Sequence, residues 1–196
     1  MNAPLAAGPD WVDAFIDASL REDVGDGDHS TLACIPAGQT GTFRLLVKQD
    51  GVMAGVRLAE RIFQHAAGAV EMEIALDDGQ LAGRGETAFR VSGDVRGLLT
   101  AERLALNCMQ RMGGIATLTR ELSERIAHTG CKLLDTRKTT PLFRMPEKWA
   151  VRIGGGVNHR IGLFDMIMLK DNHIDACGGI PQALQRTKAY LESTGR

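Results

Sequence analysis

The sequence predicts an α+β domain over residues 1–109, followed by a domain built from α/β barrel units over residues 110–196. Strand-like segments separated by glycine turns fill much of the first half, and a long amphipathic helix follows them. Beyond Gly130 the strand-like segments become short apolar runs without alternation, and helical stretches separate them. Such runs are typical of strands buried on both faces, so we expect a parallel arrangement in the second domain.

The first domain is expected to begin with a loose tail over residues 1–9 and a helix from Trp11 to about Glu22. Asp10 can cap this helix, because its side chain can accept a hydrogen bond from the first turn. Residues 23–31, DVGDGDHST, are rich in turn formers and predict a loop. The acidic side chains of this loop fit either a solvated turn or a metal-binding loop.

The middle of the chain is predicted to alternate between strands and helices. Its pattern predicts strands over residues 41–49, 52–54, 70–76 and 86–92, and helices from Arg57 to Ala67 and from Leu98 to about His128. The longer helix is expected to bury a stripe formed by Leu104, Cys108, Ile115, Leu118, Leu122 and Ile126. Gly113 and Gly114 interrupt this helix and predict a break or a kink.

Polar clusters follow both apolar runs of the second domain. Residues 131–135, CKLLD, predict a strand that leads into Thr-Arg-Lys, and residues 166–170, MIMLK, predict a strand that leads into Asp-Asn-His. A helix is predicted from Ile180 to Ser193. Because functional residues of parallel sheets and barrels lie just past the carboxyl ends of strands, both clusters are candidate site residues.

Composition and charge exclude several functions. A hydrophobic fraction of 44% is enough for a core, and a formal net charge of -1 argues against a nucleic-acid or membrane partner. Residues 131–173 nevertheless carry eight basic and four acidic residues, which favours a local pocket for a small anion. The four cysteines are scattered without a CxxC pair, so they suggest no zinc site, and their sparseness fits a reducing compartment. The amino terminus lacks the pattern of a signal peptide and no apolar run is long enough for a membrane span, so we expect a cytoplasmic protein.

The basic segment has the chemistry of an anion-binding site. Arg137 offers a planar guanidinium that can pair with a carboxylate, Lys138 offers a compact charge suited to phosphate, and Thr136 adds a hydroxyl donor. The three glycines at 154–156 are expected to let backbone amides approach a ligand closely.

His159, Arg160 and Lys170 complete the basic cluster, since the first two follow the glycines and the third ends a predicted strand. Lys132, Lys148 and Arg152 are expected to be solvated surface residues, and Arg144 fits either a surface or a site role. His173 is expected to make a structural hydrogen bond. The cluster therefore predicts a ligand that carries several carboxylates, phosphates or both.

Five segments of the chain resemble the quinolinate phosphoribosyltransferase family and occur in the family's order. They are REDVGDGDHST (21–31), AERLALNCMQRMGGIATLT (101–119), DTRKTTP (135–141), EKWAVRIGGGVNHR (147–160) and LKDNHI (169–174). DTRKT, GGGxNHR and KDNH are specific when they occur together. The resemblance implies an N-terminal α+β sandwich domain and a partial α/β barrel of the type II phosphoribosyltransferase kind.

The same resemblance implies transfer of phosphoribose from phosphoribosyl pyrophosphate to quinolinate with decarboxylation, giving nicotinate mononucleotide, pyrophosphate and carbon dioxide in de novo NAD biosynthesis. It implies Mg²⁺ as a cofactor that arrives with phosphoribosyl pyrophosphate, and a homodimer in which Arg103 reaches into the neighbour's pocket. The implied catalytic residues are Lys138, Arg160 and Lys170. The implied substrate-binding residues are Arg103, Thr136, Arg137, Lys138, His159, Arg160 and Lys170.

Two departures from the family pattern keep alternatives open. Leu142 stands where the family usually has glycine, and a positive φ at this position would strain a leucine. The chain ends at Arg196, before the further strands with acidic residues that the family carries. The resemblance therefore fits a truncated quinolinate phosphoribosyltransferase, an inactive remnant that binds an anion or a partner subunit, or a related phosphoribosyltransferase-like protein associated with molybdenum transport.

Overall fold

The computed structural model describes residues 11–196, and the chain divides into two compact units, one ending at Ile161 and the other beginning at Gly162. The loose tail predicted over residues 1–9 and the predicted cap at Asp10 lie outside the described residues.

The first unit mixes helices with a small amount of sheet. Its elements are α1 (Trp11–Val24), α2 (His29–Cys34), β1 (Thr40–Leu46), β2 (Gly51–Val52), α3 (Val56–Ala67), β3 (Glu71–Ile74), β4 (Leu81–Ala82), β5 (Thr87–Asp94), α4 (Val95–Ile126), a 3₁₀ turn (Ala127–Thr129) and α5 (Arg144–Ile153). The α+β class predicted for the first half of the chain is confirmed, and each predicted strand of that half has a counterpart.

The sheets of the first unit are antiparallel. One has three strands in the order β1-β5-β3, and β2 pairs with β4 to form the other. β5 is the central strand and buries Ala88, Phe89 and Val91 against the helices. α3 supplies Val56, Leu58, Ala59, Ile62 and Phe63 to the same core. A fully buried aliphatic side chain of this kind contributes about 1.5–3 kcal/mol by leaving water.

α4 is continuous for 32 residues, so the predicted break at Gly113 and Gly114 is wrong. A Cβ at Gly113 would lie 3.5 Å from the backbone oxygen of Val52, which is an ordinary contact distance, and nothing lies within 4 Å of a Cβ at Gly114. The buried stripe was also mispredicted, because Leu118 is 56% exposed and Cys108 is the one predicted member that is fully buried. The buried face consists mainly of small or flexible side chains, namely Leu98, Ala101, Ala105, Cys108, Met109, Met112, Ala116 and Thr119.

The strand predicted over residues 131–135 is wrong, because the segment forms only an isolated parallel bridge between Leu134 and Val157. The predicted boundary near residue 110 falls inside α4, and the division at 109/110 stays a prediction.

The second unit contains α6 (Asp171–Cys177) and α7 (Ile180–Thr194). The helix predicted from Ile180 is confirmed, but the strand predicted over residues 166–170 is wrong, because this segment belongs to neither sheet. Among residues 11–196, no helix is long and apolar enough to cross a membrane.

Candidate anion-binding site

Asp135 is the centre of a buried polar cluster in the first unit. Its Oδ1 accepts hydrogen bonds from Lys148 Nζ at 2.5 Å and from the backbone N–H of His159 at 2.8 Å. Its Oδ2 accepts a third bond from Asn158 Nδ2 at 2.6 Å. The side chains of Asp135 and Lys148 are 7% and 0% exposed, so the pair lies almost entirely out of water. The cluster thereby joins the segment that begins DTRK to the segment NHR.

Lys148 is therefore not the solvated surface residue that the sequence predicted. It lies on α5, whose neighbouring residues Trp149 and Ala150 are buried. Trp149 packs edge-on against Trp11 of α1 at 6.3 Å. This packing turns Lys148 away from solvent, and its Nζ bonds both Asp135 and the backbone oxygen of His159, the latter at 3.2 Å. A buried lysine is tolerated where it has such partners.

The predicted residues of the DTRK segment line up along one short loop. Thr136 is exposed, and its Oγ1 accepts a bond from the backbone N–H of Lys138 at 3.0 Å. Lys138 is exposed and Arg137 is half-buried. The Nε of Arg137 is buried and makes no hydrogen bond among the described residues. An unpaired guanidinium nitrogen retains a donor for an anionic ligand.

His159 and Arg160 follow directly on the buried cluster. The backbone N–H of Arg160 donates to Nδ1 of His159 at 2.8 Å, and Arg160 is itself 7% exposed. The structure therefore brings His159 and Arg160 together with Asp135, which immediately precedes the predicted residues Thr136, Arg137 and Lys138.

An open cleft of about 690 Å³ lies on the same unit. α4 contributes Arg103, Asn107 and Arg111 to its wall, which share a helix face because they are spaced by four residues. The cleft is also lined by Glu22 and Asp23 of α1, so its wall carries both signs of charge. Arg103 is exposed there, which leaves its guanidinium accessible.

Arg111 connects this cleft to the basic segment, although sequence reasoning had not selected it. Its Nη2 donates to Thr140 Oγ1 at 2.7 Å and to Glu147 Oε1 at 2.8 Å. The spacing from Arg103 was the available signal, since residues eight apart lie on one face of a helix. Arg144, whose role the sequence left open, bonds Thr139 Oγ1 through Nε at 3.0 Å and supports the same loop.

The triple glycine does not offer its amides to a ligand, so that interpretation is wrong. The backbone N–H groups of Gly154, Gly155 and Gly156 donate to carbonyl oxygens of α5. A Cβ on Gly154 would overlap the backbone oxygen of Ala116, and one on Gly156 would lie 2.9 Å from Thr119 Cγ2. The first and third glycines thus let α5 turn tightly against α4.

Leu142 confirms the strain foreseen for a leucine at this position. It has φ +62° and is the one non-glycine residue with positive φ among residues 11–196. Its side chain is 94% exposed at the edge of the cleft, so burial of the side chain does not offset the energetic cost of the left-handed backbone.

The remaining predicted residue, Lys170, lies in the second unit and is exposed. It precedes α6, and its backbone N–H donates to Nδ1 of His173 at 3.1 Å while its oxygen accepts from the His173 N–H at 2.8 Å. His173 therefore makes the structural hydrogen bond that the sequence predicted.

Acidic and thiol groups do not form a metal centre in the described part of the chain. No group of three His, Cys, Asp or Glu side chains within residues 11–196 is placed to hold a metal ion. The loop before α2 uses Asp28 as a helix cap, with its carboxylate bound to Thr31 N at 3.0 Å. Burial raises the pKa of the Cys108 thiol to about 12, so this cysteine stays protonated at neutral pH.

Within an α+β unit, Asp135 thus joins the segment that carries Arg137 and Lys138 to the segment that carries His159 and Arg160. Two family models match the chain, the quinolinate phosphoribosyl transferase N-terminal domain over residues 28–113 and the C-terminal domain of that family over residues 115–195. The chain therefore belongs to the quinolinate phosphoribosyl transferase family.

Individual relatives agree with this assignment. A protein of Nicotiana tabacum named quinolinate phosphoribosyltransferase (decarboxylating) 1b is 47% identical over 178 residues, which are 90% of this chain and 50% of the relative. A probable nicotinate-nucleotide pyrophosphorylase (carboxylating) of Synechocystis is 40% identical over 96% of this chain and 64% of its own length. The crystal structure of NadC from Streptococcus pyogenes superposes with a TM-score of 0.86 at 41% identity, covering 94% of this chain and 65% of that one. The chain thus spans about half the length of the tobacco relative.

Proposed function

We propose that this chain binds quinolinate and phosphoribosyl pyrophosphate and provides part of the machinery that converts them to nicotinate mononucleotide, pyrophosphate and carbon dioxide. The observation that carries the proposal is the cluster around Asp135, which joins the DTRK and NHR segments in one place. Relatives that are 40% and 47% identical to this chain are named for this reaction.

The predicted residues divide by chemistry. Quinolinate has two adjacent carboxylates, for which the guanidinium groups of Arg137 and Arg160 and the ring of His159 are suitable donors. Lys138 and Lys170 supply compact positive charge for phosphate or carboxylate oxygens, and Thr136 supplies a hydroxyl. The buried, unpaired Nε of Arg137 supports this assignment, because a ligand oxygen would satisfy it.

In this reaction the bonds are made and broken within the two substrates, and none of the steps forms a bond to the protein. The ring nitrogen of quinolinate forms a bond to C1 of the ribose while the bond to pyrophosphate breaks and its electron pair leaves with pyrophosphate. The ribosylated ring then accepts the electron pair of the bond to the departing carboxylate, carbon dioxide leaves, and a proton takes its place. Fixed basic residues promote these steps by orienting both anions and by stabilising the pyrophosphate as it leaves.

Three further features belong to the proposal. Mg²⁺ would enter bound to the oxygens of phosphoribosyl pyrophosphate, where it offsets phosphate charge. A homodimer would let the exposed Arg103 contribute to the pocket of a second copy, as the family resemblance implies. A cytoplasmic location fits the small anionic substrates and the sparse cysteines.

The direct test measures binding and turnover separately with the 196-residue chain. We expect carboxyl-labelled quinolinate to release labelled carbon dioxide only when phosphoribosyl pyrophosphate and Mg²⁺ are present, and calorimetry to detect quinolinate binding. Arg137→Ala and Lys138→Ala should reduce both signals by about tenfold or more, since each removes a charged hydrogen-bond donor. Lys188→Ala is the matched control, because Lys188 is an exposed lysine of α7.

Release without dependence on Arg137 or Lys138 would overturn the residue assignment. Quinolinate binding without release would overturn the catalytic part of the proposal and favour the anion-binding alternative. Absence of both would overturn the proposed function for this chain.

A further inference from the structure

We propose that Lys148 is a positioning residue whose buried ion pair with Asp135 fixes His159 as a neutral imidazole with its proton on Nε2. His159 would then serve the site as a hydrogen-bond donor and not as a general base. The structural part of this inference stands on the cluster alone, and its consequence for quinolinate rests on the proposed function.

The backbone of His159 is held from both sides by the ion pair. Asp135 Oδ1 accepts the His159 N–H at 2.8 Å, and Lys148 Nζ donates to the His159 oxygen at 3.2 Å. The same Nζ and Oδ1 bond each other at 2.5 Å. Asn158 closes the cluster, because its Nδ2 donates both to Asp135 Oδ2 at 2.6 Å and to the Lys148 oxygen at 2.8 Å. One charged pair therefore fixes both peptide groups of a single residue.

The ring of His159 is oriented by its neighbour. The backbone N–H of Arg160 lies 2.8 Å from Nδ1 of His159 and donates to it. A ring nitrogen that accepts a hydrogen bond carries no proton, so the proton of the neutral ring must lie on Nε2.

Nε2 of His159 makes no hydrogen bond within residues 11–196, so its N–H is available to a ligand. An N–H at Nε2 can donate to a carboxylate oxygen but cannot remove a proton from a substrate. The arrangement suits a reaction in which His159 holds quinolinate in place. A fixed tautomer also avoids the loss of affinity that a ring with two tautomers would suffer.

The competing explanation is that the ion pair only stabilises the fold. A buried ion pair often contributes little net stability compared with an apolar pair, so stability alone does not explain its presence. The second unit supplies an internal comparison, because Nδ1 of His173 accepts the Lys170 N–H at 3.1 Å on an exposed turn with no buried ion pair. If the buried ion pair determines the tautomer of the ring, the tautomer of His159 should depend on Lys148, whereas the tautomer of His173 should not.

Nitrogen-15 NMR of the imidazole rings in the 196-residue chain tests the inference without any need for turnover. The His159 signals are assigned by their loss in His159→Gln. We expect His159 to show the Nε2–H tautomer in the unaltered chain at neutral pH, and finding Nδ1–H or a rapidly exchanging mixture there would overturn the proposal before any variant is made.

Lys148→Met should convert His159 to a mixture of tautomers, leave His173 unchanged and weaken quinolinate binding by about tenfold, the effect of one lost hydrogen bond to a charged group. Lys148→Arg should restore the tautomer at least in part. Lys132→Met is the matched control, because it removes an exposed lysine near the same loop and should change neither signal. If Lys148→Met does not fold, the double variant Lys148→Met/Asp135→Asn, which leaves no unpaired buried charge, replaces it.

A folded variant without Lys148 that keeps the Nε2–H tautomer would overturn the positioning role. A tautomer that depends on Lys148 in a chain that does not bind quinolinate would leave that role standing and contradict the proposed function.

Discussion

His159 and His173 form the same kind of bond in very different surroundings. Each ring accepts a backbone N–H at Nδ1, from Arg160 in the first unit and from Lys170 in the second. The backbone of His159 is bound by the buried ion pair of Asp135 and Lys148. His173, in contrast, lies on the exposed first turn of the seven-residue α6. Motifs that look alike in sequence, NHR and KDNH, thus depend on different forces: long-range burial in one case and local capping in the other.

The largest expected difference in stability between these two regions comes from removing Asp135 in one and His173 in the other. Asp135→Ala removes three hydrogen bonds and leaves Lys148 buried without its counter-charge, so the free energy of unfolding should fall by about 3–5 kcal/mol. His173→Ala should lower it by only about 0.5–1 kcal/mol, since it removes one exposed capping contact of α6. Urea unfolding followed by circular dichroism measures both values. Similar losses for the two variants would contradict the distinction between buried and local anchoring.

A second prediction concerns the contact between α4 and the turn after α5. Gly154→Ala should lower the free energy of unfolding by about 1–3 kcal/mol, because the new methyl group would overlap the backbone of Ala116. Gly114→Ala is the matched control, since nothing lies within 4 Å of a Cβ there and alanine favours a helix. The control should be neutral or stabilising in the same urea experiment. A neutral Gly154→Ala would show that the turn does not pack on α4.

Leu142 permits a smaller and opposite change. Leu142→Gly should raise the free energy of unfolding by about 0.5–1 kcal/mol, because relief of the left-handed backbone exceeds the entropy that glycine adds to the unfolded chain. Leu142→Ala removes the same exposed side chain but keeps the strain, so it should change stability very little. Thermal melting of the three proteins distinguishes strain from the loss of exposed apolar surface. A gain with alanine equal to that with glycine would contradict the role of strain.

The smallest expected effect is the acid response of Asp28. Hydrogen bonds from the side chain and backbone of Thr31 lower the pKa of this carboxyl. A carboxyl with a lowered pKa in the folded state stabilises the fold above its unfolded pKa, and this contribution is lost as the pH falls through the folded pKa. Asp28→Asn should therefore flatten the decline of the urea midpoint as the pH falls below about 4. Asp23→Asn, which removes a neighbouring charge, should leave the slope unchanged, and a steeper decline in Asp28→Asn would contradict the sign.

Local patterns were enough to predict much of the first unit. The strands β1, β2, β3 and β5 and the helices α1, α3 and α4 follow hydrophobic periodicity, and their predicted limits lie within a few residues of those observed. The strand predicted over residues 131–135 failed because a strand also needs a partner, and Leu134 has only the single bridge to Val157. Pairing partners far along the chain leave no local signal.

The candidate site shows the same limit. The backbone of His159, one of the selected residues, is bound to Asp135, but Lys148, which binds the same carboxylate, was assigned to the surface because most lysines are exposed. Its burial depends on how Trp149 and Ala150 pack, which the spacing of α5 alone does not reveal. The glycines at 154–156 were likewise assigned to a ligand when their neighbour is α4.

The continuity of α4 has a consequence for how this chain could have been assembled. The family's two domain matches meet at residues 113–115, in the middle of a helix about 48 Å long. Both halves pack into one hydrophobic core, to which the first half supplies Ala101 and Ala105 and the second half supplies Ala116. A proteolytic cut at the junction would therefore cut through a single core and would not separate two independent ones.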